Sequence, residues 1–182
     1  MADTDIAQVR AALQAFQDGY TARDMARLDA FMQLFVQDGE PELIGIGAAK
    51  RAQTEWFEGL PRIREIVEGD WLYWGDVRLD VEGARITVCG EAAWLSTTGR
   101  LTQTQHFDTA IEFHIRDMQA LLEREDLSAD EKFMEATHYG MRRVRERSKG
   151  VGHVWPFTFT AVLVRDGGVW RFHTLHWAMP VD

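Results

Sequence analysis

The sequence predicts an α+β domain in which helices near the N-terminus cover one face of an antiparallel sheet. Residues 5–20 carry apolar side chains at helical spacing, whereas the apolar period changes to two beyond Trp71, as is typical of half-buried strands. In two places, consecutive strand segments are separated by a short turn, at Glu82-Gly83 and at Asp166-Gly167. Because hairpins join antiparallel neighbours, these turns favour an antiparallel sheet.

The predicted helices lie mostly ahead of the strands. The first covers residues 5–20, and its expected buried face is Ile6, Val9, Leu13, Phe16 and Tyr20. The segment Thr21-Ala-Arg-Asp24 has the pattern of a capping box and predicts the start of a second helix. We expect a short strand over 43–46 and a helix over 50–59. Pro61 suits the first turn of a further helix, whose expected buried side is Ile63, Ile66 and Val67.

The strand segments alternate apolar and polar residues. The alternation over 77–81 predicts one strand, and a longer partner is predicted over 85–98. Within 85–98, one set of alternate residues is apolar, and we expect it to face the core: Ile86, Val88, Ala92 and Trp94. Gly90 indicates a bulge or bend. Near the C-terminus, 154–164 and 168–178 are rich in β-branched and aromatic residues and predict a second hairpin.

A helical insertion of about 103–152 separates these two hairpins in the predicted order. A strand is expected over 106–115, followed by a helix with Met118, Leu121 and Leu122 on one face. The segment Ser128-Ala-Asp-Glu131 is a second capping-box pattern, and it opens a helix that closes in a run of basic residues. The expected domain organisation is therefore a single domain, 1–182, with the insertion inside it.

The charge balance limits the class of partner. With 20 Lys+Arg against 29 Asp+Glu and a net charge of −9, the chain is not expected to bind nucleic acid. The N-terminal residues have no basic flank or apolar core, so we expect no signal peptide. No apolar run approaches the ~20 residues of a membrane helix. A single cysteine, Cys89, forms no intrachain disulfide, and we expect a reduced, cytoplasmic setting without membrane contact.

Several ordered motifs resemble the SnoaL-like domains of the nuclear transport factor 2-like superfamily. In the last strand, Trp170 and His176 keep the spacing of the family, while Ala178 stands in place of a serine and Thr174 in place of a frequent histidine. The resemblance covers roughly 1–102 and 153–182. The other matching segments are Ala15–Leu34, Leu43–Gly47, Glu55–Gly59, Asp70-Trp71 and Ala92–Leu95.

This resemblance implies a bent, cone-like antiparallel sheet wrapped around the N-terminal helices, with an apolar pocket inside. It also implies a homodimer that binds a small lipophilic molecule. The residues expected to line the pocket are Tyr20, Trp56, Trp74, Trp94, Phe172 and His176. An aromatic row of this kind is more often part of a plain core. Two alternatives remain open: an enzyme of the isomerase, polyketide cyclase or dehydratase type, and an oligomerisation or adaptor module.

The weak catalytic candidates are His176 and Asp76. Trp170, Phe172 and His176 lie at alternate positions of the last strand. If these positions face inward, His176 is a titratable group on an apolar wall. Asp76 serves as a general base only if burial raises its pKa; otherwise it is a solvated or turn-capping carboxylate. Aligned on Asp24, the tyrosine of ketosteroid isomerases falls at Phe16 and the base falls among apolar residues. That activity is therefore not expected.

No metal or cofactor is expected. His173 and His176 are three residues apart, which places them on opposite faces of a regular strand. His106 and His114 could share a strand face, but no zinc or metalloprotease pattern accompanies them. The sequence also lacks a P-loop, a dinucleotide fingerprint and a nucleophile elbow.

Overall fold

The structure is a computed structural model that describes residues 2–48, 50–51 and 55–179. Besides one 3-10 turn at Met25–Arg27, it contains five helices and seven strands in the described ranges. In chain order these are α1 Ala2–Ala22, α2 Leu28–Met32, β1 Glu42–Ile44, β2 Trp56–Glu58, α3 Gly59–Tyr73, β3 Asp76–Leu79, β4 Arg85–Cys89, β5 Ala92–Thr102, α4 Phe107–Glu123, α5 Ala129–Ser148, β6 Val154–Asp166 and β7 Val169–Ala178. The predicted α+β class is confirmed.

The chain divides into two compact units. One comprises residues 1–101 and 154–182 and contains the N-terminal helices and the sheet. The other comprises residues 102–153 and contains α4 and α5.

The sheet has the strand order β2-β1-β7-β6-β5-β3, and β4 also pairs with β5. The pairs β1–β2, β4–β5 and β6–β7 are antiparallel, whereas β1 runs parallel to β7. Hairpins account for the antiparallel pairs, while β1 reaches β7 from a distant point in the chain. The sheet is therefore mainly antiparallel, with one parallel neighbour.

One face of the sheet packs against α1. The buried apolar residues of α1 are Val9, Leu13, Phe16 and Tyr20, which fall at the predicted helical spacing, whereas Ile6 is half-buried. Gly19 allows α2 to approach closely, because a Cβ at this position would lie 2.3 Å from Cδ2 of Phe31. The Phe31 ring thus packs directly against α1, because Gly19 has no side chain.

Two predictions in the N-terminal region are wrong. The Thr21–Asp24 segment does not open a long helix, because α1 continues to Ala22 and Arg23 then adopts a positive φ of 47°. Asp24 instead caps the 3-10 turn, accepting a hydrogen bond of 3.0 Å from the backbone N–H of Ala26. The helix predicted over 50–59 is replaced at its end by β2, which is held by pairing with β1.

The first hairpin also differs from its prediction. Strands β3 and β4 do not pair with each other across Glu82-Gly83, because both lie along β5. The hairpin turn follows Cys89, which pairs with Ala92, and Gly90 supplies the positive φ of 60° that the tight turn requires. The segment between β3 and β4 is an irregular break, in which the Asp80 side chain accepts the N–H of Gly83 at 2.9 Å.

The second unit is a helical hairpin. The strand predicted over 106–115 is wrong, because α4 begins at Phe107. Its helical period starts earlier than the sequence analysis assumed: His114, Met118 and Leu121 are spaced as one helix face, and His114 is buried. The capping box at Ser128 is confirmed, since Ser128 and Glu131 exchange hydrogen bonds between side chain and backbone.

Of the helices formed by the described residues, none combines the length and apolar character needed to span a membrane.

Candidate functional site

A buried phenol and a carboxylate meet at the end of the aromatic core. Tyr20 lies near the C-terminal end of α1 and is 2% exposed, and Asp70 lies in the last turns of α3 and is half-buried. The Tyr20 hydroxyl donates a hydrogen bond of 3.0 Å to Oδ2 of Asp70. Burial, followed by the charge of Asp70, raises the pKa of Tyr20 well above its usual value. Tyr20 is therefore a neutral hydrogen-bond donor at all ordinary pH values.

The interior around Phe16 and Tyr20 of α1 is packed with aromatic rings. The ring centroid of Phe16 lies 4.9 Å from that of Tyr20, 5.5 Å from Phe159 and 5.4 Å from Phe172. Phe172 is fully buried in this cluster. The predicted lining residue Phe172 consequently belongs to a packed part of the core.

Two tryptophans lie beside Tyr20, and a third contacts one of them. The rings of Trp71 and Trp177 lie 6.4 Å and 5.8 Å from the Tyr20 ring, and both residues are buried. Trp74 is half-buried and meets Trp177 edge to face at 5.2 Å. Among the described residues, no group accepts the buried indole N–H of Trp71 or of Trp177. The arrangement therefore combines an apolar surface with hydrogen-bond donors.

The expected inward position of His176 is wrong. In the pairing of β6 with β7, Val162 is opposite Thr174 and Leu163 is opposite Phe172, so that His173 is an extra residue in β7. This bulge reverses the facing of every later side chain in the strand. Phe172 is buried before it and Trp177 after it, whereas His176 is exposed opposite Thr160.

Trp94 also faces away from the core, contrary to prediction. It is 50% exposed, whereas its neighbours Ala93 and Leu95 are buried. The register pairs Thr87 with Trp94 and Val88 with Ala93, so the apolar residues of β4 share a face with Ala93 and not with Trp94. The turn at Gly90 sets this register, and the sequence analysis had treated Gly90 as a bulge or bend within one strand.

Asp76 and His176 do not come together. Asp76 lies in β3, where its carboxylate contacts the guanidinium groups of Arg23 at 3.5 Å and Arg78 at 3.2 Å. Two strands separate β3 from β7 in the sheet, which corresponds to roughly 14 Å. Asp76 therefore forms ion pairs with two arginines. This agrees with the alternative prediction of a solvated carboxylate and not with that of a buried general base.

Trp56 lies in β2 at the edge of the sheet. It is half-buried, pairs with Ile44 and lies 6.0 Å from the guanidinium carbon of Arg51. The preceding residue, Glu55, accepts the backbone N–H of Gly47 at 2.8 Å. A Cβ at Gly45 would lie 2.8 Å from Cβ of Glu55, so Gly45 leaves room for this side chain. Glu55 therefore organises the loop that follows β1.

The sequence analysis missed Asp70, Trp71 and Trp177 as site residues. It assigned Asp70-Trp71 to the start of the sheet, although Trp71 continues the helical spacing of Ile63 and Val67 by four residues. This spacing could have placed Trp71 on the buried face of α3. Trp177 could not have been found in the same way, because its inward position depends on the bulge at His173.

Among the residues that the structure describes, no group of three or more His, Cys, Asp or Glu side chains is arranged to hold a metal ion.

Comparison with known structures shows the fold. A dehydratase candidate of the nuclear transport factor 2-like family from Streptomyces avermitilis superposes with a TM-score of 0.62 at 12% identity, over 99% of each chain. A superfamily member from Salmonella enterica gives 0.61 at 12% identity, over 99% of this chain and 94% of its own. A protein of unknown function from Pseudomonas putida gives 0.60 at 12% identity, over 100% and 91%.

The sequence comparison identifies the family. Curated protein sequences give no significant match. The profile of the SnoaL-like domain family, however, matches residues 9–126, which include α1, α3, the Tyr20–Asp70 pair and the first strands of the sheet. This match spans more than half of the chain and agrees with the architecture of the three structural neighbours. The chain therefore belongs to the SnoaL-like domain family, and it has the fold of nuclear transport factor 2-like proteins.

Proposed function

We propose that this protein binds a small lipophilic molecule whose polar group forms hydrogen bonds with Tyr20 and Asp70. The supporting observation is the Tyr20–Asp70 hydrogen bond of 3.0 Å, placed where the aromatic core meets half-buried residues. The phenol O–H is donated to Asp70, so a ligand oxygen would have to replace Asp70 as its acceptor, while the carboxylate oxygens would accept from a ligand donor. Burial of the hydrocarbon part would hold the ligand, and hydrogen bonds to this pair would fix its orientation.

The ligand would approach from the side of α3. Tyr20 and Trp177 are buried, whereas Asp70 and Trp74 are half-buried and so reach towards solvent. The rings of Trp74 and Trp177 meet edge to face at 5.2 Å, which suits a flat, apolar ligand that can contact an indole face. The buried indole N–H of Trp177 adds a donor for a ligand oxygen. These features favour a lipophilic ligand with a carbonyl or hydroxyl group.

The test compares two equivalent tyrosine substitutions. In Tyr20→Phe the ring is kept, but the donor to Asp70 is lost; in Tyr139→Phe a phenol that donates to Asp117 at the same 3.0 Å distance is removed from the helical hairpin. We expect Tyr20→Phe to weaken binding of carbonyl-bearing lipophilic compounds about tenfold, corresponding to one hydrogen bond of about 1.4 kcal/mol. Tryptophan fluorescence and thermal shift would follow binding across a panel of sterols, aromatic ketones and fatty acids.

The matched variant Tyr139→Phe should leave the affinity unchanged. Equal affinities of the wild type, Tyr20→Phe and Tyr139→Phe for every ligand that binds would show that Tyr20 does not contact the ligand. A complete absence of thermal stabilisation at saturating concentrations of the whole panel would contradict the proposed ligand class.

Acid–base catalysis is a second candidate function. Asp70 is a carboxylate next to a phenol whose raised pKa keeps it protonated, so one group can accept a proton while the other donates a hydrogen bond. The Streptomyces avermitilis neighbour is described as a dehydratase candidate, which makes this chemistry a reasonable comparison. Ligands found in the screen can be incubated in D2O with the wild type and Asp70→Asn. Deuterium incorporation next to the carbonyl only with the wild type would favour catalysis.

We also propose that the protein is a homodimer formed through the outer face of the sheet. On β6, Thr158, Thr160 and Val162 are exposed, and His176 of β7 lies opposite Thr160 on the same face. The exposed residues of this surface are mostly uncharged, and Trp94 of β5 is exposed as well. Such a face suits association with an identical face.

We also propose the domain organisation and the cellular location of the protein. We propose one SnoaL-like domain, 1–182, that carries α4 and α5 as an insertion between β5 and β6. The family profile supports the single domain, because it runs without a break through β1 to β5 and the whole of α4. Cys89 is an exposed, free thiol, which fits a reduced cytoplasmic setting.

A further inference from the structure

The helix α5 has apolar residues on the face that the helical hairpin does not use. Its inner face contacts α4: Ala136 is buried, Tyr139 binds His114, and an added Cβ at Gly140 would lie 3.6 Å from Sδ of Met118. On the opposite side, Met134 is 65% exposed, Met141 70% and Val144 55%. Solvent exposure of three large apolar side chains on one helix face is unusual for a hairpin without a partner.

These side chains form a regular seam. From Met134 onward, the exposed residues are separated alternately by three and four positions, which is the spacing of a coiled-coil interface. The adjacent Phe133, 69% exposed, widens the apolar surface at one end. We call this surface the α5 seam, and it consists of Met134, Thr137, Met141, Val144 and Ser148.

The charges along α5 indicate the partner and its direction. The N-terminal end carries Asp130 and Glu131 and the C-terminal end carries Arg145 and Lys149, so the helix is acidic at one end and basic at the other. Two copies in parallel would bring like charges together. Two copies in antiparallel orientation would bring the acidic end of each beside the basic end of the other, around a two-fold axis.

We propose that the α5 seam is a self-association surface, on which α5 of a second copy of this chain packs in antiparallel orientation. With the axis between Thr137 and Met141, the seam is self-complementary. Met134 then faces Val144 of the second copy, and Asp130 lies close to the basic end. This surface belongs to the helical hairpin, whereas the outer face of the sheet belongs to the other unit, so the two proposals are tested with different substitutions.

A disulfide test reports the orientation directly. In the full-length chain with Cys89→Ser, we would combine Met134→Cys protein with Val144→Cys protein and oxidise the mixture at micromolar concentration. Antiparallel packing brings the two introduced sulfurs together, whereas equivalent positions remain apart. The mixed disulfide should therefore exceed the product of either variant alone several-fold on non-reducing electrophoresis.

A charged residue in the seam should abolish that product. We expect Met141→Glu on both chains to reduce the mixed disulfide to background, and Thr137→Glu serves as a second variant if the far-UV circular dichroism of the first is altered. Val169→Glu is the matched control, because Val169 has the same 55% exposure as Val144 but lies in β7. It should leave the yield unchanged.

Three results would overturn the proposal. The first is the absence of a mixed disulfide, which would mean that the seam faces no second copy. The second is an equal or greater yield from Met134→Cys alone, which would indicate parallel packing. The third is a yield that does not respond to Met141→Glu or Thr137→Glu. None of these outcomes affects ligand binding at Tyr20, so failure here is distinguishable from failure of the proposed function.

Discussion

One buried imidazole controls how the helical hairpin responds to acid. His114 is 4% exposed, and its Nδ1 lies 3.0 Å from the hydroxyl of Tyr139, which donates to Oδ2 of Asp117 at 3.0 Å. Tyr139 therefore accepts a hydrogen bond from Nδ1–H of His114. Burial, assisted by the positive charges of Arg143, Arg147 and Arg142, lowers the pKa of His114 to about 3. The folded hairpin thus contains a neutral histidine.

The hairpin should lose stability as the pH falls below the ordinary histidine pKa. The unfolded chain takes up a proton near pH 6.5, whereas the folded His114 does so only near pH 3, so acid favours the unfolded state across this interval. His114 should contribute a loss of about 1.4 kcal/mol per pH unit. In urea titrations followed by far-UV circular dichroism, His114→Asn should remove this slope between pH 6 and pH 4.

An exposed histidine provides the control. His138 lies in α5, the other helix of the same hairpin, and is exposed, so His138→Asn should keep the pH dependence of the wild type. If His114→Asn and the wild type lose stability in parallel, then His114 is not the group that responds to acid.

At the level of single elements, the capping box of α5 is the local feature that the sequence specified most completely. Ser128 and Glu131 satisfy each other's backbone N–H groups at the start of α5, where a helix has no partners for its first N–H groups within its own backbone. Ser128→Ala should destabilise the helical hairpin by about 1 kcal/mol. Ser148→Ala, at the other end of α5, provides the comparison and should cost less, because its hydroxyl bonds only to the carbonyl of Arg145. Urea titration by circular dichroism would measure both, and equal losses would argue against the cap.

Local spacing predicted several elements correctly, although the helical start of α4 and the buried position of Trp71 in α3 were missed despite their spacing. The buried face of α1, the final hairpin and the opening of α5 all follow from spacing, turns and caps within a few residues. The predictions failed where pairing between distant residues decided the outcome. Strand β2 exists because it pairs with β1, and β3 and β4 share one edge of β5, which no local pattern reveals.

The candidate site was predicted in part for the same reason. Tyr20 and Trp74 were found from the resemblance and from α1, but the carboxylate that binds Tyr20 lies fifty positions away on another helix. The positions of His176 and Trp94 depended on strand register, and one extra residue in a strand is enough to reverse a facing. The alternation of apolar and polar residues in the sequence does not show where a strand has an extra, bulged residue.

At the scale of the whole molecule, association through the sheet can be separated from association through α5. In a Met141→Glu background, in which the α5 seam is blocked, light scattering should give twice the chain mass of 20.9 kDa. Adding Val162→Lys, which places a charge on the outer face of the sheet, should give a monomer. Adding Leu122→Lys, at an exposed position of α4, should leave the dimer intact. A monomer in the Met141→Glu background alone would contradict the sheet interface.

The extra residue at His173 has a consequence for comparing strands of different length. Deleting that one residue would place Thr174 directly after Phe172, in the register that β6 already offers, so Leu175 and Trp177 would still face inward. A relative whose last strand is one residue shorter can therefore keep the same inner wall. Alignments of these domains that force equal strand lengths will assign the wrong side chains to the interior.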